Sequence, residues 1–209
     1  MLSIRRPLLA FCCALFISLP VWAQGYTQLS QPVETQVAAS KIEVAVIFSY
    51  TCPYCFQLEP LIQAWELQQA DDIEVVHLPA AFNPTWQHFA RVYYIAEALD
   101  LLDQAHMAIF EEIHIRNNGN ALASMNGLKR FFARFDVEGD QVESLYSSFG
   151  VESYLRADFE RLRASQVRAV PALMIDGRYI VDGRSAQGLG NMLRVTDQLI
   201  SQIRTERAQ

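Results

Sequence analysis

The chain has 209 residues, 51% of them hydrophobic and 11% aromatic, which is enough apolar material for a sizeable folded core. Lys and Arg number 17 against 23 Asp and Glu, a net charge of −6. Without any basic cluster, this acidic balance argues against nucleic acid as a partner.

Residues 1–23 have the pattern of a cleavable secretory signal peptide. An arginine pair precedes an apolar run, and Ala23 provides the small residue of a cleavage site. The run is shorter than the ~20 residues of a membrane span, and Pro20 interrupts it. An uncleaved anchor is the alternative. Cleavage would remove Cys12 and Cys13 and leave a single cysteine pair in the mature protein.

The next 60 residues predict a strand, a helix and a second parallel strand. The segment 42–48 reads I-E-V-A-V-I-F, the β-branched pattern of a buried strand, and 26–29 could add an edge strand. A helix is expected over 52–70, with a bend at the internal Pro60. The segment 73–78 then reads as the partner strand, which completes a βαβ unit.

The pair Cys52-Pro53-Tyr54-Cys55 lies where the strand gives way to the helix. Unpaired N–H groups and the positive dipole end at a helix N-terminus favour a thiolate at Cys52, and Pro53 suits the first helical position. A structural disulfide across two residues would stabilise little. A zinc site would need further ligands, and the four histidines form no recognisable ligand pair. Neither a metal nor a cofactor is therefore expected. The histidines are interpreted as structural or surface residues.

No strand pattern appears from 84 to 167, where successive helical faces predict an all-helical insertion. Phe149 is expected on the apolar face of the fourth of these helices, and a long polar helix follows over 152–166. Several aromatic side chains read as the insertion's core rather than a binding surface: Trp86, Phe89, Phe131, Phe132 and Phe135.

Strand character returns at 169–175, and Asp176-Gly177 is a strong hairpin signal before the return strand 178–181. An amphipathic helix over 185–203 follows. The expected fold is therefore an α/β core, βαβ and then ββα, interrupted by helices. Its segments are a first core part at 24–83, the insertion at 84–167 and a second core part at 168–209.

The residues Cys52-Pro53-Tyr54-Cys55 and Val170-Pro171, with the hairpin, the helical insertion and the export signal, resemble the DsbA family of periplasmic thiol:disulfide oxidoreductases. The resemblance covers nearly the whole mature chain. It implies a thioredoxin fold with no cofactor, in which Cys52 and Cys55 are catalytic. Pro53, Tyr54, Val170 and Pro171 would support the site and the client peptide, with Pro171 in the cis form.

The resemblance also implies a periplasmic protein that introduces disulfides into exported proteins with free cysteines. A membrane partner of the DsbB type, linked to quinone, would re-oxidise it. Periplasmic isomerases of this fold carry an N-terminal dimerisation domain, for which the chain before the first strand leaves no room, so a monomer is expected. An isomerase or reductase, and a peptide-binding holdase without redox activity, remain alternatives.

Two positions depart from the family's best-known members. Tyr54 stands where they have a histidine, which predicts a less depressed pKa at Cys52 and a less oxidising pair. Val46 stands where many thioredoxin-fold enzymes keep a buried acid, so proton transfer at Cys55 would need water or another group.

Overall fold

The computed structural model describes residues 25–209. The predicted signal peptide, 1–23, lies outside these residues, as do Cys12 and Cys13. Across the described range, no helix combines the length and the apolar character that crossing a membrane requires.

A five-stranded mixed sheet forms the centre of the fold, in the order β1-β5-β4-β2-β3. β2 pairs in parallel with β3 and antiparallel with β4, while β5 pairs antiparallel with both β4 and β1. The parallel pair, the hairpin and the edge strand predicted from the sequence are thereby confirmed. The strands are β1 (Thr27–Gln28), β2 (Ile42–Phe48), β3 (Ile73–Pro79), β4 (Ala172–Ile175) and β5 (Tyr179–Asp182).

One helix joins β2 to β3, six lie between β3 and β4, and one follows β5. This order confirms the predicted thioredoxin-type core with a helical insertion; the segment boundaries at 83 and 167 stay a prediction. The helices are α1 (Pro53–Glu66), α2 (Pro84–Ala98), α3 (Leu102–His114), α4 (Gly119–Leu122), α5 (Met125–Phe132), α6 (Gly139–Tyr146), α7 (Phe149–Ser165) and α8 (Leu189–Arg207).

Strand β2 is the centre of two apolar layers, because all seven of its residues are buried. Val44 and Val46 point to the face covered by α1 and α8, whereas Ala45 and Ile47 point to the opposite face, where Leu162 of α7 packs. A strand buried on both faces needs the continuous β-branched run seen in the sequence rather than strict alternation.

The helical insertion has an apolar core of its own, continuous with the residues around Cys52 and Cys55. Phe89, Phe131 and Phe132 are buried in it and Phe135 packs against it, which confirms four of the five aromatic assignments. Trp86 instead packs against the sheet face that includes Ala45 and Ile47.

Several helix boundaries differ from the sequence predictions, and the C-terminal helix α8 spans Leu189–Arg207 rather than 185–203. Helix α1 ends at Glu66 rather than near Ala70, and it continues through Pro60; the bend there stays a prediction. Placing Phe149 on the apolar face of the fourth helix was wrong. It is the first residue of α7 and 86% exposed, because Ser148 caps this helix by accepting a hydrogen bond from the Val151 N–H at 3.2 Å.

Candidate active site

The C-x-x-C segment begins α1 directly after the turn that follows β2. Cys52 is the N-cap residue with φ −90° and ψ 116°, and Pro53 occupies the first helical position, as predicted. The Cys52 N–H donates to the Ser49 carbonyl at 3.0 Å, and the Cys55 N–H donates to the Cys52 carbonyl at 3.1 Å. The backbone therefore fixes Cys52 at the positive end of the helix dipole.

Both cysteines are free thiols, and they occupy different environments. A hydrogen bond from the Cys55 thiol, assisted by the N–H groups of Cys55 and Tyr54, lowers the pKa of Cys52 to about 6 against the desolvation that burial imposes. Burial raises the pKa of Cys55 far above its usual range, and the neighbouring Cys52 raises it further. At neutral pH this arrangement holds a thiolate at Cys52 and a protonated thiol at Cys55.

The Val170–Pro171 peptide bond is cis, which confirms the prediction for this position. It lies beside the cysteine pair, because the Cys52 thiol contacts the Val170 carbonyl oxygen at 3.6 Å. Residues 118 positions apart in sequence thus meet at one sulfur atom. Pro171 is buried, and Tyr54 is 60% exposed on the outer side of the segment.

A buried acid does lie behind the cysteine pair, although β2 offers only Val46 at the position where related folds place one. It is Glu59, one helical turn after Cys55, and it is 2% exposed. The sequence contained a signal for it, since position 59 falls on the same helical face as Cys55 and Ile62. Its negative charge also contributes to raising the pKa of Cys55.

Glu59 has two histidine neighbours that the sequence analysis did not connect with the site. Nε2 of His77 on β3 lies 3.1 Å from Glu59 Oε2, and Nε2 of His106 on α3 lies 3.5 Å from the same oxygen. Burial opposes ionisation of Glu59, but the proximity of the His106 and His77 rings outweighs it and holds the pKa of Glu59 well below its usual range. The donor atoms of these three residues, the only such group in the described chain, lie within 4.8 Å of one another.

The helical insertion buttresses the reactive turn from the other side. His114 of α3 lies with Nε2 2.8 Å from the Tyr50 carbonyl oxygen, and its ring stacks on Phe56 at 5.2 Å between centroids. The Tyr50 hydroxyl in turn meets Nδ1 of His106 at 2.7 Å. The turn that presents Cys52 is therefore fixed by α3 as well as by the sheet.

Comparison with known proteins identifies relatives along most of the chain. Residues 43–194 match the family model described as a DSBA-like thioredoxin domain. A thiol:disulfide interchange protein DsbA from Azotobacter vinelandii is 34% identical over 182 residues, covering 87% of this chain and 84% of that protein. The protein of the same name from Pseudomonas aeruginosa is 32% identical over 179 residues, covering 86% of this chain and 83% of its own length.

Solved structures agree with the sequence matches. The crystal structure of Pseudomonas aeruginosa DsbA superposes with a TM-score of 0.82 at 31% identity, covering 88% of this chain and 95% of that one. The oxidoreductase DsbA from Xylella fastidiosa superposes with a TM-score of 0.81 at 32% identity, covering 90% of this chain and 99% of its own.

Proposed function

The chain belongs to the family of DsbA-like thioredoxin-domain proteins and is a thiol:disulfide oxidoreductase, and we propose that it works as a dithiol oxidase through Cys52 and Cys55. The observation that carries this proposal is the opposite perturbation of the two thiols. The pKa of Cys52 falls to about 6 through the Cys55 hydrogen bond, while burial raises the pKa of Cys55.

The exchange begins with the Cys52–Cys55 disulfide. A client thiolate attacks the Cys52 sulfur, the disulfide breaks, and Cys55 leaves with the bonding electron pair and takes up a proton. A second client thiolate then attacks the client sulfur of the mixed disulfide and releases the Cys52 thiolate. The client loses two electrons and gains a disulfide, and the enzyme pair is reduced by the same two electrons.

Thiolate stabilisation sets the direction of this exchange. Every interaction that favours the Cys52 thiolate lowers the free energy of the reduced enzyme, and an enzyme whose reduced form is stabilised is an oxidant. The side chain of Tyr54 does not contribute to the low pKa of Cys52. The pKa is lowered by the Cys55 thiol and by backbone N–H groups. The oxidising character thus has a source that the change from histidine to tyrosine leaves in place.

Client binding is assigned to the edge next to Cys52. Val170 offers its carbonyl at 3.6 Å from the sulfur, and an extended peptide pairing with this backbone would bring a client cysteine to Cys52. Pro53 and Pro171 fix the two backbone segments that frame the sulfur, and Tyr54 adds an exposed aromatic side chain beside it.

The cellular setting is part of the same proposal. Residues 1–23 would direct export to the periplasm and be cleaved there, leaving Gln24 as the first residue. The protein would act as a monomer on exported proteins that are still folding, and a quinone-linked membrane protein of the DsbB type would re-oxidise it. N-terminal sequencing of the protein from periplasmic extract tests the first step, and Gln24 is the expected first residue.

The decisive experiment is oxidative refolding of a reduced disulfide-containing protein with stoichiometric oxidised enzyme. Wild-type enzyme should restore the client's activity while losing its own disulfide, and Cys52→Ser should restore none. Restoring activity only to a client with scrambled disulfides would instead indicate an isomerase. Full function in Cys52→Ser would indicate a holdase and refute the redox role.

A further inference from the structure

Glu59, His77 and His106 come together from three different elements behind the active-site helix. Glu59 is on α1, His77 on β3 and His106 on α3 of the insertion. The Glu59 and His106 side chains are more than nine-tenths buried, and that of His77 is 19% exposed. The catalytic exchange at Cys52 uses none of these side chains, so their convergence calls for a separate explanation.

One buried atom of the cluster is unsatisfied. Nε2 of His106 faces Glu59 Oε2 at 3.5 Å but forms no hydrogen bond with any residue in the described range. A buried polar group left without a partner destabilises the fold, because it has given up its hydrogen bonds to water and gained none. Because the other ring nitrogen, Nδ1, is already 2.7 Å from the Tyr50 hydroxyl, the ring cannot relieve this cost by turning without losing that contact.

Two of the three separations between the donor atoms suit a tetrahedral metal ion, and the third is at most 4.8 Å. Two ligands about 2.1 Å from a zinc ion at the tetrahedral angle lie about 3.4 Å apart. Glu59 Oε2 is 3.1 Å from Nε2 of His77 and 3.5 Å from Nε2 of His106. An ion between the three atoms would require movements of only a few tenths of an ångström at these two contacts.

The donor set also selects the kind of ion. Two imidazole nitrogens and one carboxylate form a set that Zn²⁺ uses in sites with an open fourth position, whereas Mg²⁺ and Ca²⁺ prefer oxygen ligands throughout.

Neighbouring groups are arranged to support such a site. Nδ1 of His106 can donate its proton to the Tyr50 hydroxyl, which leaves the Nε2 lone pair directed at the cluster. Gln63 donates from Nε2 to Glu59 Oε1 at 3.2 Å, and Nε2 of His77 lies 3.2 Å from the same oxygen, so the carboxylate is held on both sides.

The cluster opens onto a cavity of about 1060 Å³, which provides both an entry path and room for a fourth ligand. Glu66, Glu97 and Asp103 line the same cavity. These three further carboxylates raise the local concentration of cations in the cavity.

We propose that Glu59, His77 and His106 form a binding site for one divalent transition-metal ion of the Zn²⁺ class. Water from the cavity completes the coordination. The ion joins the active-site helix, the sheet and the insertion, and it bonds the buried His106 nitrogen that otherwise has no partner.

Calorimetric titration with Zn²⁺ tests the site. The cysteine pair of the protein is first oxidised and any remaining thiols are alkylated, so that no thiolate competes for the Zn²⁺. The wild type should bind one equivalent. His77→Gln and His106→Gln should weaken binding by more than about 100-fold, since changes even to outer-sphere partners weaken metal sites by about 10–100-fold. Tyr50→Phe should fall within that smaller range.

His88→Gln is the matched control, because His88 is not part of the Glu59 cluster. Its Nδ1 is instead hydrogen-bonded to the Tyr146 hydroxyl at 2.9 Å. It should bind Zn²⁺ like the wild type. Absence of binding to the wild type, or equal binding by all the histidine variants, would overturn the proposal.

A measurement on the wild type guards against variants that fail to fold. Long-range ¹H–¹⁵N spectra of the histidine rings should show Zn²⁺ shifting the signals of His77 and His106 and leaving those of His88 and His114 in place. Shifts confined to His88 or His114 would place the metal elsewhere and refute the site.

Discussion

The hydrogen bond from the Cys55 thiol is the largest single reason for the low pKa of Cys52, and it can be removed without touching the helix terminus. Cys55→Ala deletes the donor, while Cys55→Ser keeps a hydroxyl donor of nearly the same shape. Both variants lack the disulfide and both retain Pro53 and the N-terminal end of α1. The pair therefore separates the contribution of the thiol from that of the backbone.

The expected size of the effect follows from the charge on the acceptor. A hydrogen bond to an ionised group contributes about 1.5–3 kcal/mol, which is about 1–2 pKa units at 1.36 kcal/mol per unit. From about 6 in the wild type, the pKa of Cys52 should rise by that amount in Cys55→Ala, to about 7–8. In Cys55→Ser it should stay near the wild-type value. The fraction ionised at pH 7 would fall from roughly 90% to roughly 10–50% in the alanine variant.

The assay is the pH dependence of alkylation at Cys52, with the adduct mapped by mass spectrometry. The midpoint of the profile is the quantity to compare, because a thiolate of higher pKa is intrinsically more nucleophilic and partly masks the loss at any single pH. Predominant alkylation of Cys55 in the wild type would already contradict the assignment of roles. A midpoint in Cys55→Ala that stays at the wild-type value would refute the hydrogen-bond reasoning and assign the effect to the helix terminus alone.

The same variants carry a stability signature with a defined sign. The pKa of Cys52 is lower in the folded protein than the ordinary value of 9.0. Its thiolate therefore stabilises the reduced fold fully above pH 9 and loses that contribution as the pH falls through about 6. Urea unfolding of the reduced proteins should show a larger gain in stability between pH 5 and pH 8 for the wild type than for Cys55→Ala.

Three further changes test other parts of the molecule. Tyr54→His should lower the pKa of Cys52 and raise the reduction potential together, by up to ~30 mV per pKa unit. Thiolate absorbance against pH measures the pKa, and equilibrium with glutathione measures the potential of the same samples. A fall in pKa at constant potential would contradict the link between the two quantities. Burial raises the pKa of Asp158 from 3.8 to about 7, so the contribution of this side chain to stability should fall by about 4 kcal/mol as the pH rises between those values. Urea unfolding should show that the wild type loses this much more stability over that range than Asp158→Asn does; equal slopes for the two proteins would contradict the assignment. Arg161→Met leaves the fully buried Glu43 without its ion-pair partner and should destabilise the fold by about 3–5 kcal/mol in the same assay. Adding Glu43→Gln should recover most of this loss, because no unpaired charge then remains buried. No recovery would show that the loss came from the packing of the arginine side chain and not from its charge.

The sequence predicted those parts of the site that depend on patterns of neighbouring residues. A β-branched run, a turn and a proline one residue into a helix place Cys52 at the N-cap by spacing alone. The hairpin of β4 and β5 likewise follows from Asp176 and Gly177, whose φ values of 52° and 60° suit the Asp-Gly pair.

The errors have equally local causes. The spacing that assigned Phe149 to an apolar face continued a helical pattern across a helix boundary. The cap at Ser148 resets the register, so that Phe149 becomes a first-turn residue facing solvent. Ser148 itself was the available signal, because serine is a preferred N-cap residue.

The Glu59 cluster could not be found in this way. His77 and His106 belong to a strand and to a helix of the insertion, and no spacing motif relates them. Their meeting depends on how the insertion docks on the core, which is a matter of packing between distant segments. Only the position of Glu59, on the same helical face as Cys55, could be read from the sequence.

That docking makes the insertion part of the active site rather than an appendage to it. Helix α3 brings His114 to the Tyr50 carbonyl and His106 to the Tyr50 hydroxyl, so both ends of one residue in the turn before Cys52 are held from the insertion. A turn with few such contacts would let Cys52 move relative to the Val170 carbonyl and the helix terminus. The thiolate is stabilised by hydrogen bonds, and these weaken steeply as their distances and angles depart from the optimum. A rigid turn is therefore a condition for the low pKa of Cys52. The core thus supplies the reactive sulfur, and the insertion holds it where the backbone can stabilise its charge.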